Sequence, residues 1–205
     1  MKKLGFLMFM LALALILGGN ALAQNVGDNS VYFTTYFANN VAAAPDATLR
    51  IVNDGDTFSA TNDGHLWASI YVFDDSQELT ECCSCFISAD GLLSESVKRD
   101  LTQAPITHIT PTRGVIKVIS SSTESDVNTN FAANTPTAGL RGWATHIQSV
   151  NNRNPFGPAP YSQTETALAD SNLGATEQGM LELLCKFDKL LSGHPCNCTP
   201  EDLDF

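Results

Sequence analysis

Basic residues are scarce in this sequence. Its 205 residues include 11 Lys and Arg against 22 Asp and Glu, a formal net charge of −11 at pH 7. Nucleic acids and anionic membrane surfaces repel such a chain, so we expect neither as a partner. Charged residues make up only 16% of the sequence. Much of the surface is therefore expected to be Asn, Ser, Thr and Gln.

Recognisable catalytic motifs are also missing. The sequence has four histidines but no Gly-x-Ser-x-Gly elbow, no His-Glu-x-x-His pair and no phosphate-binding loop. A catalytic triad can assemble from distant residues, so this absence does not exclude an enzyme. We predict no catalytic residue, and a non-catalytic protein is more strongly indicated than an enzyme.

Long apolar runs are limited to the N-terminus. Two lysines precede the almost entirely apolar segment 4–17, and residues 21–23 (Ala-Leu-Ala) offer the small-x-small pattern that signal peptidase recognises. The alternative is a retained membrane anchor, but the run is shorter than the ~20 residues that spanning a bilayer requires. The pattern therefore predicts a signal peptide over residues 1–23, cleaved before Gln24.

Export determines the expected compartment and domain. The lysine-rich start and the cleavage site are typical of bacteria, which indicates the periplasm, the cell surface or the medium. Removal of residues 1–23 leaves 182 residues and takes the net charge to −13. We expect one domain over residues 24–205, with no integral membrane segment after signal cleavage.

Short strands separated by turns dominate the mature sequence. Alternating or continuous β-forming residues between Asn-, Asp- and Gly-rich turns predict five strands. This pattern predicts a mainly β protein, an antiparallel β-sandwich of immunoglobulin-like or similar type. The predicted strands cover residues 31–37, 49–52, 66–73, 115–119 and 143–150.

Three further segments are predicted to form a short helix or loops. Residues 86–104 contain apolar residues at four-residue spacing, which allows a short helix there. Residues 120–138 are rich in Ser, Thr and Asn, and residues 151–160 are rich in Pro and Gly. We expect both as exposed loops.

The sequence predicts a C-terminal helix. Thr176 is a candidate N-cap with Glu177 in the first turn, and Gly193 and Pro195 end the helix. Apolar residues at helical spacing form one stripe, which we expect to pack on an open sheet face. The stripe consists of Met180, Leu183, Leu184, Phe187 and Leu191.

Six cysteines form two clusters that an exported protein is expected to oxidise. The first cluster follows the strand 66–73, in a segment predicted to be a loop, and the second lies in and after the helix. Pairing between the clusters leaves six connectivities open and ties the helix to mid-chain. The alternative is a zinc site that includes His194, although the spacing is not that of paired Cys-x-x-Cys motifs. The clusters are Cys82, Cys83 and Cys85, and Cys185, Cys196 and Cys198.

Acidic turns are candidates for binding calcium, a possible cofactor. Carboxylates on flexible turns suit calcium, but none of these has EF-hand spacing. Asp, Asn and Gly are also common turn formers, so plain turns are the stronger interpretation. The candidates are Asp54, Asp56, Asp63, Asp74, Asp75 and Glu78.

Aromatic strand faces are weak candidates for binding a glycan or a protein. Tyr32 and Tyr36 share a face of the first strand, and Trp67 and Tyr71 share a face of the third. Both faces of a sandwich strand under a helix can also be buried. The first strand is a second kind of candidate, because it could pair with the sheet of a neighbouring subunit.

One resemblance rests on several stretches in a fixed order. They are Tyr71-Val72-Phe73-Asp74, Cys82-Cys83-Ser84-Cys85, Arg99-Asp100-Leu101-Thr102, Gly114-Val115-Ile116-Lys117-Val118 and Cys196-x-Cys198 after the helix. Over most of residues 66–198 the chain resembles a group of uncharacterised secreted bacterial proteins with a CCxC…C…CxC cysteine pattern. That group has no known activity, so the resemblance implies export and one disulfide-stapled domain.

Together these features predict a secreted, non-catalytic envelope or extracellular protein that acts through surface binding or assembly. One alternative is a secreted hydrolase or a carbohydrate-binding module. A second alternative is a calcium- or zinc-dependent binding module.

Overall fold

The computed structural model describes residues 29–39, 41–103, 108–124, 135–150 and 160–192, together with Cys196 and Cys198. Within these residues nine strands form two antiparallel sheets, and one helix follows them. The predicted sandwich with a C-terminal helix is thus confirmed. The elements are β1 Tyr32–Ala38, β2 Thr48–Asn53, β3 Leu66–Asp74, β4 Leu79–Ile87, β5 Leu92–Ser96, β6 Arg113–Ser121, β7 Leu140–Ser149, β8 Tyr161–Ala167, β9 Ala169–Asp170 and α1 Ala175–Ser192.

The two sheets enclose a single main apolar core. One sheet has the strand order β4-β3-β6-β1-β9, and the other has the order β5-β2-β7-β8. Strand β3 pairs along its length with β4 on one side and β6 on the other. Both sheets contribute to the core, in which the following side chains are at most 1% exposed: Phe37, Leu49, Ile70, Ile116 and Ile147.

All five predicted strands are present, as β1, β2, β3, β6 and β7. The helix considered for residues 86–104 is wrong, because that segment holds the end of β4, the whole of β5 and a set of turns. Leu93, Val97 and Leu101, whose spacing suggested the helix, are all buried in the main core. Their spacing therefore reflects burial along a strand and its following turns.

The two predicted loops are only partly within the described chain. Ser120 and Ser121 are the last residues of β6, so the first loop begins later than predicted. Residues 125–134 and 151–159, which make up most of both predicted loops, lie outside the described residues. Strand β8 follows the second one and pairs with β7.

Helix α1 lies on the outer face of the five-stranded sheet. It begins at Ala175, so Thr176 lies in its first turn and is not the N-cap, whereas Glu177 is in the first turn as predicted. Leu181 and Cys185 pack into a second apolar cluster with Tyr32 and Tyr71 from the sheet. The sheet is therefore apolar on both faces where the helix covers it.

Candidate binding surfaces

Three disulfide bonds join β4 to the C-terminus. They select one of the six connectivities that the sequence left open, and no described cysteine is free. The first cysteine cluster lies inside a strand, so its prediction as a loop is wrong. The bonds are Cys82–Cys185, with Cα atoms 5.7 Å apart, and Cys83–Cys196 and Cys85–Cys198, each with Cα atoms 5.2 Å apart.

Successive side chains of β4 point to opposite faces of the sheet, so the three disulfides do not all lie on the same face. Cys82 lies in the outer cluster beneath α1, whereas Cys83 and Cys85 face the main core. Their partners Cys196 and Cys198 pack against that core, so the three disulfides hold C-terminal cysteines on both sides of β4, the edge strand. The Cys196 amide donates a hydrogen bond to the Cys82 carbonyl at 3.4 Å. The disulfides thus cover an edge that would otherwise offer unpaired backbone groups.

The zinc alternative depends on the oxidation state of these cysteines. The sulfur atoms of Cys83, Cys85 and Cys198 lie within 4.8 Å of one another, close enough to share a metal ion. All three are disulfide-bonded in the structure, and a metal requires thiolates. His194, the other ligand considered, lies outside the described residues. Zinc binding here would therefore require the reduced chain.

The start of α1 is fixed to the sheet by a carboxylate. Tyr32 donates a hydrogen bond to Glu177 Oε1 at 2.9 Å, and Lys117 Nζ donates to the same oxygen at 2.6 Å. The Lys117 bond lowers the pKa of Glu177, while burial and the Glu177 bond raise the pKa of Tyr32. The lysine also lies 5.0 Å from the centre of the Phe73 ring. These contacts fix the helix at one end, and Cys185 fixes it further along.

The predicted apolar stripe of α1 faces away from the sheet, so its prediction as a buried face is wrong. The helix docks through Leu181, Cys185 and Asp188, which are at most 5% exposed. Leu184 is the one stripe residue that packs partly against the outer cluster. The remaining face is open to solvent: Met180 is 49% exposed, Leu183 46%, Phe187 53%, Leu190 73% and Leu191 72%. We call these five residues the α1 apolar face.

Two of the four aromatic candidates are buried. Tyr32 and Tyr71 are 4% and 1% exposed because α1 covers them, so they cannot offer a binding face. Tyr36 is 45% exposed, and its ring stacks on His146 with centroids 3.9 Å apart. Trp67 remains at the surface.

Trp67 belongs to an aromatic group that the sequence analysis missed. The Phe86 ring makes an edge contact with Trp67, with centroids 5.3 Å apart, and lies 5.1 Å from the His65 ring. Phe86 is opposite Trp67 in the β3–β4 register and is 52% exposed. The register between β3 and β4 brings these rings together. That register could not be predicted from the sequence, because residues 82–85 were interpreted as a loop. We call His65, Trp67 and Phe86 the aromatic group.

The acidic candidates are divided between two turn regions. Asp54 and Asp75 pair with arginines, at 3.4 Å from Arg141 and 2.6 Å from Arg113. Asp74 accepts hydrogen bonds from the amides of its own turn, including that of Glu78. Among the described residues, Cys83, Cys85 and Cys198 are the one group of three metal-ligating side chains found within 4.8 Å. The structure therefore brings neither acidic set together as calcium ligands. The first set is Asp54, Asp56 and Asp63, and the second is Asp74, Asp75 and Glu78.

One histidine within the described chain lies close to a hydroxyl group, and it is buried. His146 Nε2 lies 2.7 Å from Thr166 Oγ1, a distance suited to a base and a nucleophile. The imidazole is fully buried under the Tyr36 ring, and burial lowers its pKa. Within the described chain no carboxylate bonds to its Nδ1 to orient it. The pair therefore lacks the third member and the exposure that a hydrolase needs.

A cleft of about 430 Å³ lies beside the turn that follows β1. Four small apolar residues, Val41 and the alanines 42–44, make up half of its lining, and Asn39, Asp46, Lys98 and Thr112 make up the rest. The Asp46 carboxylate is already engaged, since Asn39 Nδ2, Ser96 Oγ and the Lys98 amide donate to it. The carboxylate of this cleft thus stabilises the turn itself.

Comparison with protein-family models, with curated proteins and with solved structures gives no match for this chain. Within the described residues, no helix combines the length and the apolar content needed to cross a bilayer.

Proposed function

We propose that this is a secreted, non-catalytic bacterial protein that acts through surface binding or assembly, with the α1 apolar face as its main contact surface. The observation that carries the proposal is the exposure of five large apolar side chains on one side of a helix. Soluble proteins rarely leave contiguous apolar patches uncovered unless a partner covers them. The acidic charge of the chain argues against nucleic acids and anionic membranes as that partner.

The disulfides support both export and a binding role. Three bonds persist only in an oxidising compartment, which agrees with the signal peptide proposed for residues 1–23. The Cys82–Cys185 bond also holds the helix at a fixed rotation, so its apolar face is presented without a cost of ordering it on binding. The resemblance to secreted bacterial proteins points to the same compartment.

Strand β1 offers a weaker basis for assembly than the helix. Its seven residues all pair with β6, and β9 pairs with Phe33 and Thr34 on the other side. A neighbouring subunit would therefore find few open hydrogen-bonding positions on β1. Exposed side chains favour α1 as the contact surface.

The test is the native size of the protein recovered from the medium and from envelope fractions. We expect complexes larger than one chain that are lost when Leu183→Glu and Phe187→Glu are combined. Leu92→Glu is the matched control, because Leu92 is a 53% exposed leucine on β5. A wild-type protein that is monomeric in every fraction would contradict the proposal. The non-reducing mass of the same material reports cleavage before Gln24 and three intact disulfides.

A carbohydrate-binding module is the second candidate, and the aromatic group is the observation that favours it. The Phe86 ring contacts both the His65 ring and the Trp67 ring, and aromatic faces bind sugars well. A glycan panel should quench the fluorescence of Trp67 in a Trp143→Phe background. A flat response to every glycan would remove this candidate.

A further inference from the structure

Four cysteine sulfurs meet on the core side of β4. Cys83 and Cys85 are two residues apart on the strand, so their side chains point to the same face of the sheet. Two C-terminal cysteines with the same spacing are bonded to them, one to each, so all four sulfurs lie in one place. We call them the four-sulfur group: Cys83, Cys85, Cys196 and Cys198.

The distances within this group are those of a tetrahedral metal site. Zinc bound by four cysteines lies about 2.3 Å from each sulfur, which places neighbouring sulfurs about 3.8 Å apart. The Sγ atoms of Cys83 and Cys85 are 3.7 Å apart, and that of Cys198 lies within 4.8 Å of both. The strand therefore holds two sulfurs at the required separation, without the loop that spaces the ligands of paired Cys-x-x-Cys sites.

The third disulfide lies outside this group. Cys82 points to the other face of β4, where it bonds to Cys185 in the outer cluster beneath α1. The four-sulfur group packs with the main core, so the sheet separates it from the Cys82 sulfur. Fold geometry thus selects four of the six cysteines, and four sulfurs complete a tetrahedral ligand set without His194.

We propose that the four-sulfur group binds one zinc ion when its cysteines are reduced, the state in which the chain is synthesised. Four thiols release four protons as they bind the ion, and the step transfers no electron. Zinc and the two disulfides exclude each other, because only a thiolate is a ligand. Each pair of sulfurs that was bonded must separate by about 2 Å, which is within reach of side-chain rotation. The ion then holds the C-terminal segment on β4, as the disulfides do after oxidation.

The surroundings of the group suit a structural ion. Cys83, Cys85 and Cys196 are at most 4% exposed, whereas Cys198 is only partly buried and offers an ion a route of entry. Four protein ligands leave no position open for water or a substrate, which distinguishes structural from catalytic zinc. Thiolates select zinc and softer ions over calcium and magnesium. The inference goes beyond the proposed function and does not depend on the α1 apolar face.

Three paired substitutions that each leave four cysteines test the assignment. Each exported protein is reduced with a dithiol, separated from it without air and titrated with zinc against a chelating dye. The wild type and the first variant should bind one zinc ion per chain with similar affinity. The other two lose two ligands each, which should exceed the ~10–100-fold cost of losing a residue that only orients a ligand. The variants are, in order, Cys82→Ser with Cys185→Ser, Cys83→Ser with Cys196→Ser, and Cys85→Ser with Cys198→Ser.

Chelation by an unfolded chain predicts a different pattern, because any four thiols would then serve. Equal affinities in the three variants would overturn the proposal, and so would a reduced wild type that binds no zinc. The zinc-loaded wild type and first variant should have the circular dichroism spectrum of the oxidised protein, since the site exists only in the folded chain. Zinc bound without that spectrum, or zinc retained after the disulfides form again, would also contradict the assignment.

Discussion

Cys82 and Cys83 are neighbours in β4, yet their disulfides leave opposite faces of the sheet. Cys82 bonds to Cys185 beneath α1, and Cys83 bonds to Cys196 beside the main core. Two adjacent residues therefore hold the C-terminal segment on both sides of an edge strand. The helix cannot leave the sheet while the first bond exists, and the tail cannot leave the core while the second exists.

The first bond should contribute more to stability than the third. With Cys83–Cys196 intact, Cys82–Cys185 closes a loop of about a dozen residues, which corresponds to ~3 kcal/mol in the chain-entropy model. The bond Cys85–Cys198 closes only a few residues beyond it and should contribute less. Urea unfolding of Cys82→Ala with Cys185→Ala, compared with Cys85→Ala with Cys198→Ala, measures both. Equal losses, or a larger loss from the second pair, would show that the bonds do not act mainly through loop closure.

The sheets were predictable because β3 and its neighbours carry apolar residues with the period of a strand. Four residues of β3 were predicted to share one face, and all four are fully buried: Leu66, Ala68, Ile70 and Val72. The middle of the missed strand β4 has the opposite character, since Glu81-Cys82-Cys83-Ser84-Cys85 contains no aromatic or β-branched residue. Its strand form comes from pairing with β3, where Ile70 lies opposite Cys83. Tertiary pairing overrides local propensity at such a position.

The rotation of α1 could not be read from its sequence because the helix carries two apolar stripes. The longer stripe includes Leu183 and Phe187, and the shorter one includes Leu181 and Cys185. Asp188 continues the shorter stripe and is fully buried, so a carboxyl group interrupts the apolar pattern on the docked side. The aromatic group depended in the same way on a cross-strand register. Which stripe is buried follows from the disulfide to Cys82, a long-range bond that periodicity does not report.

Two leucines two residues apart test this rotation directly. Leu181→Ala removes a side chain that is 1% exposed and should cost ~2–5 kcal/mol, whereas Leu183→Ala should cost less than ~0.5 kcal/mol in the monomer. Chemical denaturation at low protein concentration, where any dimer has dissociated, gives both values. The opposite order would mean that the longer stripe faces the sheet after all.

Acid should loosen the start of α1. The bonds from Lys117 and Tyr32 depress the pKa of Glu177, so its contribution to stability is present above the unfolded pKa near 4.3 and is lost as the pH falls through the folded value. Because the Glu177 side chain is 37% exposed, solvent screening limits this contribution to about 1 kcal/mol or less. Glu177→Gln should flatten the dependence of unfolding free energy on pH between about 3 and 5. An unchanged slope in that variant would mean that the carboxylate does not hold the helix.

A second pH dependence should arise at His146, in a different range. Burial lowers its pKa in the folded protein, while the unfolded chain protonates near pH 6.5. Stability should therefore be complete above about pH 7 and fall as the pH drops below 6.5, because protons then bind the unfolded state preferentially. Tyr36→Ala should reduce this slope, since removal of the stacked ring lets water reach the imidazole. Proton NMR titration of His146 measures the cause independently, and a value at or above 6.5 in the folded protein would refute the argument.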